Sequence, residues 1–191
     1  MKLQNGITAC LLAVLLAVLL AGCAANWVRV EQSDRRYAGE HYTVTLPAGW
    51  MRNETADSLV LSRDGLDLQR IVIEFRPHEK AFEKIERSSS ADMLPSELAE
   101  LTIAELKSSQ EDGLPSLEIL DNRPVEIAGH TGYALHLRFK TDEGLRIEVL
   151  LRGFVDEAGL YQFLYRAPTL HYFARDREAY ESVSESFRQA H

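Results

Sequence analysis

Cysteine is scarce in this chain of 191 residues, which contains only Cys10 and Cys23. Both lie near the N-terminus, and Cys10 falls inside a long apolar run, so no disulfide framework is available to the rest of the chain. The apolar share of 46% is that of an ordinary globular protein. We therefore expect one domain that folds around a hydrophobic core without disulfides or a structural metal.

The common catalytic motifs are also missing. The chain has no Gly-x-Ser-x-Gly elbow, and the glycines around Gly129 and Gly132 are too close together for a phosphate-binding loop. His78-Glu79 is not followed by a second histidine four residues after the first, so the zinc-protease pattern fails. These absences predict a protein that is not an enzyme. A hydrolase with an unrecognised set of residues stays open as the least favoured alternative.

Positive charge is in deficit. The chain has 21 Lys and Arg against 29 Asp and Glu, a net charge of −8, and its basic residues are scattered among acidic ones. A nucleic-acid binder would carry a basic face, so nucleic acid is excluded as a partner, and so is electrostatic docking on anionic lipid. The acidity is explained by solubility.

Three histidines are the candidate ligands for a metal site. His130, His136 and His171 could join a carboxylate if the fold brought them together. The simpler interpretation is that they are ordinary surface histidines. We predict no metal and no cofactor.

An apolar segment near the N-terminus is the most informative feature present. Lys2 precedes an apolar run from Ile7 to Leu20, and small residues follow, which is the layout of a secretory signal. The run is shorter than the roughly 20 residues that a transmembrane helix needs. An ordinary signal peptide cut near Ala24-Ala25 and an uncleaved anchor are the alternatives.

The residues at the end of this run, Leu20, Ala21, Gly22 and Cys23, resemble the lipobox of bacterial lipoproteins position by position. The resemblance implies cleavage before Cys23, a diacylglycerol on its sulfur and acylation of the new N-terminus. Residues 1–22 are then a signal peptide, and residues 23–40 are the lipidated N-terminus and a tether. The membrane is a predicted partner through Cys23. By resemblance to lipoprotein sorting, Ala24 favours the outer over the inner membrane, in the bacterial cell envelope and facing the periplasm.

Strand and helix patterns follow from residue 41 onward. Residues 41–46, 58–62, 68–75, 133–139, 147–151 and 161–165 are predicted strands because apolar side chains alternate in them or form short buried runs, and the stretch 117–127 is β-rich. Leu94, Leu98 and Leu101 recur at helical spacing, as do Phe173, Tyr180, Val183 and Phe187. We predict a single α+β domain over residues 41–191, with a largely antiparallel sheet of about six to seven strands packed between helices.

Several of these stretches together resemble the PsbP-like fold, which includes the DcrB-like bacterial lipoproteins and the Mog-type nuclear import factors. They are Leu46-Pro47-Ala48-Gly49-Trp50, Val125 to Tyr133, Tyr161 to Pro168, and the closing helix that ends near Phe187. The resemblance implies an α/β/α sandwich without catalytic activity. The function predicted is a membrane-anchored binding or accessory module for a protein or an envelope component. The alternative is a small-ligand carrier with a pocket between sheet and helix.

Overall fold

Two antiparallel sheets and two α-helices build the domain in a computed structural model that describes residues 27–33, 35–55, 58–109, 114 and 116–190. The elements in chain order are β1 (Val28–Arg29), β2 (Arg36–Ala38), β3 (Tyr42–Thr45), β4 (Met51–Glu54), β5 (Ser58–Ser62), β6 (Arg70–Pro77), α1 (Pro95–Ser108), β7 (Glu118–Ile127), β8 (His130–Lys140), β9 (Arg146–Val155), β10 (Gly159–Pro168), α2 (Ala174–Glu185) and β11 (Arg188–Gln189).

The main sheet has eight strands in the order β1-β4-β5-β6-β10-β9-β8-β7, and a second sheet has the order β11-β3-β2. Every pair of neighbouring strands in both sheets is antiparallel. The α+β class is confirmed, but the predicted count of six to seven strands is too low. Short strands such as Val28–Arg29 and Met51–Glu54 lack the alternation that marks a strand in sequence.

Four long strands, β7 to β10, follow one another in the chain and in the sheet. Ala128 and Gly129 join β7 to β8 with positive φ angles of 49° and 88°, the conformation of a two-residue hairpin turn. At the turn before β10, Asp156 accepts hydrogen bonds from the backbone N–H groups of Ala158 and Gly159 (2.8 and 3.1 Å). These local turns fix the register of the longest strands.

One face of the main sheet is covered by α2 and the small sheet. Phe187, directly after α2, is 1% exposed and meets the rings of Tyr42, Phe154, Tyr161 and Phe163 at centroid distances of 5.0–5.9 Å. Such aromatic pairs add to the free energy gained from burial alone. The predicted stripe Phe173, Tyr180, Val183 and Phe187 is buried as expected.

The other face is covered by α1 and the segment before it. The predicted stripe of α1 is shifted, since Leu98, Ala99 and Thr102 are its buried residues and Leu94 is 60% exposed. The segment before α1 contains two short 3₁₀ turns, and Phe82 between them is fully buried. Beneath them lie the alternating side chains of β8 and β9, which include Tyr133, Leu135, Leu137, Phe139, Ile147, Val149 and Leu151.

Part of the predicted tether, residues 23–40, is paired with the domain. Val28 and Arg29 lie opposite Arg52 and Met51, and Val30 is 2% exposed. The signal segment and the lipobox residues lie outside the described residues. Neither helix in the described part of the chain has the length and apolarity needed to cross a membrane.

Replacing Phe187 with alanine tests the packing of this aromatic cluster. We expect Phe187→Ala to lower the free energy of unfolding by about 3–5 kcal/mol, because the lost ring leaves a cavity. Urea denaturation followed by circular dichroism measures the change. Leu170→Ala is the matched control, because that side chain is 84% exposed and its loss should change the value by less than about 0.5 kcal/mol. Equal effects of the two variants would contradict the packing.

Candidate ligand-binding groove

An open groove of about 430 Å³ lies beside α1 on the main sheet. α1 packs mainly on β7, β8 and β9 and reaches β10 and β6 through Thr102 and Glu105, so much of the same face of β5, β6 and β10 is left open. Leu106 of α1 forms one wall, and Leu66, in the loop between β5 and β6, lines another part of the groove. The volume is within the range of small-molecule sites, roughly 300–1,000 Å³. The groove is therefore our candidate site.

Strand register arranges the floor of the groove into rows that cross the sheet. Arg70 of β6 lies opposite Arg166 of β10, and Val72 lies opposite Leu164. The next row pairs Glu74 with Gln162. Because residues two apart share a face, each row follows the previous one after about 7 Å along the strands. The floor thus changes from cationic to apolar to polar along its length.

The polar row continues into a buried hydrogen-bond triad. The Gln162 amide nitrogen donates to the hydroxyls of Tyr133 (2.7 Å) and Thr102 (3.1 Å), and the Thr102 hydroxyl donates to Tyr133 (2.8 Å). Gly153 leaves room for this contact, since a Cβ there would lie 2.9 Å from the Tyr133 hydroxyl oxygen. Burial raises the pKa of Tyr133 to about 12, although both hydrogen bonds act in the opposite direction. The phenol is therefore neutral, and the triad positions α1 on the sheet.

Beyond the polar row lies a charged cluster around Arg76. Its guanidinium donates to Glu74 Oε2 (2.8 Å) and to the Ala81 carbonyl (3.2 Å), and it lies 3.5 Å from Glu105 Oε1. The backbone N–H of Lys84 also donates to Glu105 Oε1 (3.2 Å). The second oxygen, Glu105 Oε2, is buried and has no hydrogen-bond partner among the described residues. This end of the groove therefore holds an acceptor that is not yet used.

The apolar row is incompletely buried. Val60, Val72, Leu106 and Leu164 all line the groove and are each only half-buried. A second cavity of about 690 Å³ adjoins this region and shares Arg70, Leu106 and Leu164 with the groove. Covering these side chains with an apolar ligand would remove their exposed surface from water. Each Å² of apolar surface buried in this way contributes roughly 25 cal/mol of favourable free energy.

The predicted histidines do not meet one another in these contacts. His136 Nε2 lies 2.6 Å from Glu148 Oε2, and Arg138 lies 3.3 Å from Glu148 Oε1. His130 instead bonds to Gln189 (2.9 Å). No group of three or more metal-binding side chains occurs in the described ranges. His136 and Glu148 line neither the groove nor the adjoining cavity.

A buried carboxylate fastens α2 to the loop between β5 and β6. Asp176 is 2% exposed and accepts hydrogen bonds from Arg63 (3.2 Å), Gln69 (3.3 Å) and Arg175. Arg175 also bonds to Asp64, and that bond lowers the pKa of the Asp64 carboxyl. Both guanidiniums in this cluster are paired with a carboxylate. The cluster is therefore explained by its role in holding α2 in place.

Comparison with solved structures shows the fold. The chain is 12% identical to the cyanobacterial PsbP of Synechocystis sp. PCC 6803, with a TM-score of 0.56 over 89% of this chain and 96% of that one. It is 15% identical to LpqN of Mycobacterium tuberculosis, with a TM-score of 0.55 over 87% and 91% of the two chains. For the Ran-binding protein Mog1p of Saccharomyces cerevisiae the identity is 11% and the TM-score 0.51, over 86% and 96%.

The chain has a PsbP-like fold. The expectation drawn from Leu46 to Trp50 and the later strands is thereby confirmed at the level of architecture. No protein-family model and no curated protein matches the sequence. LpqN is described as involved in cell envelope biogenesis, which is a statement about that protein.

A pocket between sheet and helix was predicted from the sequence only as the alternative, and the residues that line the groove of this PsbP-like domain were not predicted. The alternation of Arg70, Val72, Glu74 and Arg76 with buried neighbours was visible, and it indicated a second, partly exposed face of β6. The missing information was that α1 leaves much of that face open. Lipobox residue Cys23 lies outside the described residues, so its lipidation stays a prediction.

Removing the Tyr133 hydroxyl tests the triad. We expect Tyr133→Phe to lower the free energy of unfolding by about 1–3 kcal/mol, because the buried donors on Thr102 and Gln162 lose their acceptor. Tyr172→Phe is the control, since the Tyr172 ring is half-exposed. Urea titration of both variants gives the comparison, and a Tyr133→Phe variant as stable as the parent chain would exclude a role for the triad in holding α1.

Proposed function

We propose that this chain is a non-enzymatic binding module of the bacterial cell envelope, anchored to a membrane through lipid on Cys23. The groove beside α1 is its binding site. The observation that carries the proposal is the open volume of about 430 Å³ over half-buried apolar side chains. A domain without a ligand or partner gains nothing from leaving such side chains partly exposed.

The anchor rests on the sequence. Leu20 to Cys23 match the lipobox, and the apolar run before them is of signal-peptide length. Two or three acyl chains hold a protein stably on a membrane, since each buried CH₂ contributes roughly 0.8 kcal/mol. The similarity in fold to LpqN, described as involved in cell envelope biogenesis, supports an envelope location.

A small-ligand carrier is the second candidate, and the concave shape of the groove is the observation in its favour. The floor is concave, its centre is apolar, and polar groups converge from Thr102, Glu105 and Gln162. Small-molecule sites combine an apolar lining with a few placed polar groups in this way. In both cases the site and the anchor are the same, and only the occupant differs.

Replacing the lipobox cysteine tests the anchor. We expect Cys23→Ala to move the protein from the membrane fraction to the soluble envelope fraction, because the acyl chains have no attachment point. Fractionation and immunoblotting measure the distribution. Cys10→Ala is the matched control and should leave the protein on the membrane. Unchanged membrane association of Cys23→Ala would contradict the lipid anchor.

A photoreactive amino acid placed in the groove tests the site and separates the two candidates. Benzoylphenylalanine at position 60 lies on the floor of the groove, and at position 36 it lies on an exposed strand of the small sheet. After irradiation of living cells, we expect adducts from position 60 and none from position 36. Intact-mass analysis then distinguishes a protein adduct from a small molecule. Adducts confined to position 36 would place the binding surface elsewhere.

A further inference from the structure

Two arginines lie side by side where the groove meets the adjoining cavity. Arg70 and Arg166 are direct partners across β6 and β10, and both line the 690 Å³ cavity. Side chains in such positions start from Cβ atoms about 4.5–5.5 Å apart, and like charges placed there destabilise a sheet. Both residues are half-buried, so solvent screens their repulsion only in part.

No acid of the described chain neutralises this pair. Within the residues that the structure describes, no carboxylate oxygen lies within 4.0 Å of either guanidinium. Asp67, an exposed residue of the same cavity, acts on Arg166 from a greater distance. Burial and the neighbouring Arg70 lower the pKa of Arg166, while Asp67 opposes them. The cavity lining also includes Lys140, Asp142 and Glu143, but among the described residues no carboxylate lies within salt-bridge distance of the two guanidiniums.

Apolar surface begins directly beside the pair. Val72 and Leu164 form the next row, and Val60 and Leu151 extend that row to β5 and β9. Leu151 is only 4% exposed, so the partly exposed apolar track runs over Val60, Val72 and Leu164 on three neighbouring strands, which span about 10 Å. On the other side, the Arg166 guanidinium lies 6.0 Å from the centre of the Phe139 ring.

We propose that Arg70 and Arg166 are an anion-binding subsite, and that the groove takes a single-chain amphiphile whose carboxylate or phosphate group bonds to the two guanidiniums. This inference rests on the proposed function, in that the groove is the binding site. A paired guanidinium fork matches the geometry of both anions, and charge-assisted hydrogen bonds are the strong ones. The hydrocarbon chain covers the partly exposed side chains of Val60, Val72 and Leu164.

An extended peptide fits this track less well. Its backbone N–H and C=O groups would lie over valine and leucine side chains, and unpaired buried backbone groups are unfavourable. A hydrocarbon chain has no such groups. The anionic head and the apolar tail together match the two adjacent rows of the floor.

Direct binding measurements test the proposal. The chain starting at Ala24 keeps every strand and helix described above and lacks the proposed lipid-attachment residue. Isothermal titration uses decanoate and decyl phosphate as amphiphiles, decanol as the neutral chain, and inorganic phosphate as the head group alone. We expect both anionic amphiphiles to bind with one site per chain, and decanol and inorganic phosphate to bind at least about 10-fold more weakly.

Variants assign the head group to the arginines. Arg166→Gln and Arg70→Gln should each weaken decanoate binding by roughly 10–100-fold and leave decanol binding unchanged, because only the charge-assisted bonds are lost. Arg36→Gln, on the exposed strand β2, is the matched control and should bind as the parent chain does. Both groove variants should melt at or slightly above the parent Tm, since a like-charge contact is relieved.

Several outcomes would overturn the proposal. Decanol binding as tightly as decanoate would show that the anionic head group contributes nothing and would refute the anion subsite. Inorganic phosphate binding as tightly as decyl phosphate would show that the hydrocarbon chain contributes nothing and would refute an amphiphile as the ligand. Parent-like decanoate affinity in both folded glutamine variants would exclude the arginines, and no decanoate or decyl phosphate binding would exclude the ligand class. A protein adduct from position 60 together with absent decanoate binding would refute this inference alone and leave the proposed function standing.

Discussion

The mismatch between one short helix and a wide sheet determines the shape of this domain. α1 has 14 residues and is therefore about 21 Å long and about 10–12 Å wide. The eight strands of the main sheet span roughly 34 Å at the usual spacing. A single helix covers about two to three strands of such a sheet. On the opposite face, α2 and the small sheet together cover the strands. On the α1 side no second helix or sheet does so among the described residues, and the groove over β5, β6 and β10 is the result.

The sequence predicted those parts of the fold that depend on local pattern. The alternation from Tyr133 to Phe139 and the stripe from Phe173 to Phe187 both correspond to buried faces. The prediction of the buried stripe of α1 was less accurate, because it omitted Thr102. This polar residue is buried, and its hydroxyl is hydrogen-bonded to Tyr133 and Gln162. A helix pattern alone carries no information about a partner hydroxyl on a strand 31 residues away.

The candidate site depends on contacts that the sequence does not encode locally. Arg70 and Arg166 become neighbours only because β6 pairs with β10, although three other strands of the main sheet follow β6 before β10 in the chain. Neighbouring strands in a sequence usually pair, and that rule would have placed β6 beside β7. The rows of the groove floor consequently required the sheet order before they could be recognised. The N-terminal motif is the opposite case, since four adjacent residues and a preceding apolar run suffice for the prediction.

The two groove arginines differ from the other half-buried arginines that this sheet carries beside acids. Arg76 has Glu74 at 2.8 Å, and Arg138 has Glu148 at 3.3 Å, each on the same or an adjacent strand. Arg152 of β9 is also half-buried and has no acid within 4.0 Å among the described residues, but it donates to the Ser184 hydroxyl (3.2 Å) and lies over the Tyr180 ring. At Arg70 and Arg166 the equivalent place holds a second positive charge, and the next row of side chains is apolar and partly exposed. Like-charge repulsion and exposed apolar surface both oppose folding, and an anionic ligand with an apolar chain would relieve them together. The same two features that weaken the free domain are therefore the ones that would make the groove selective.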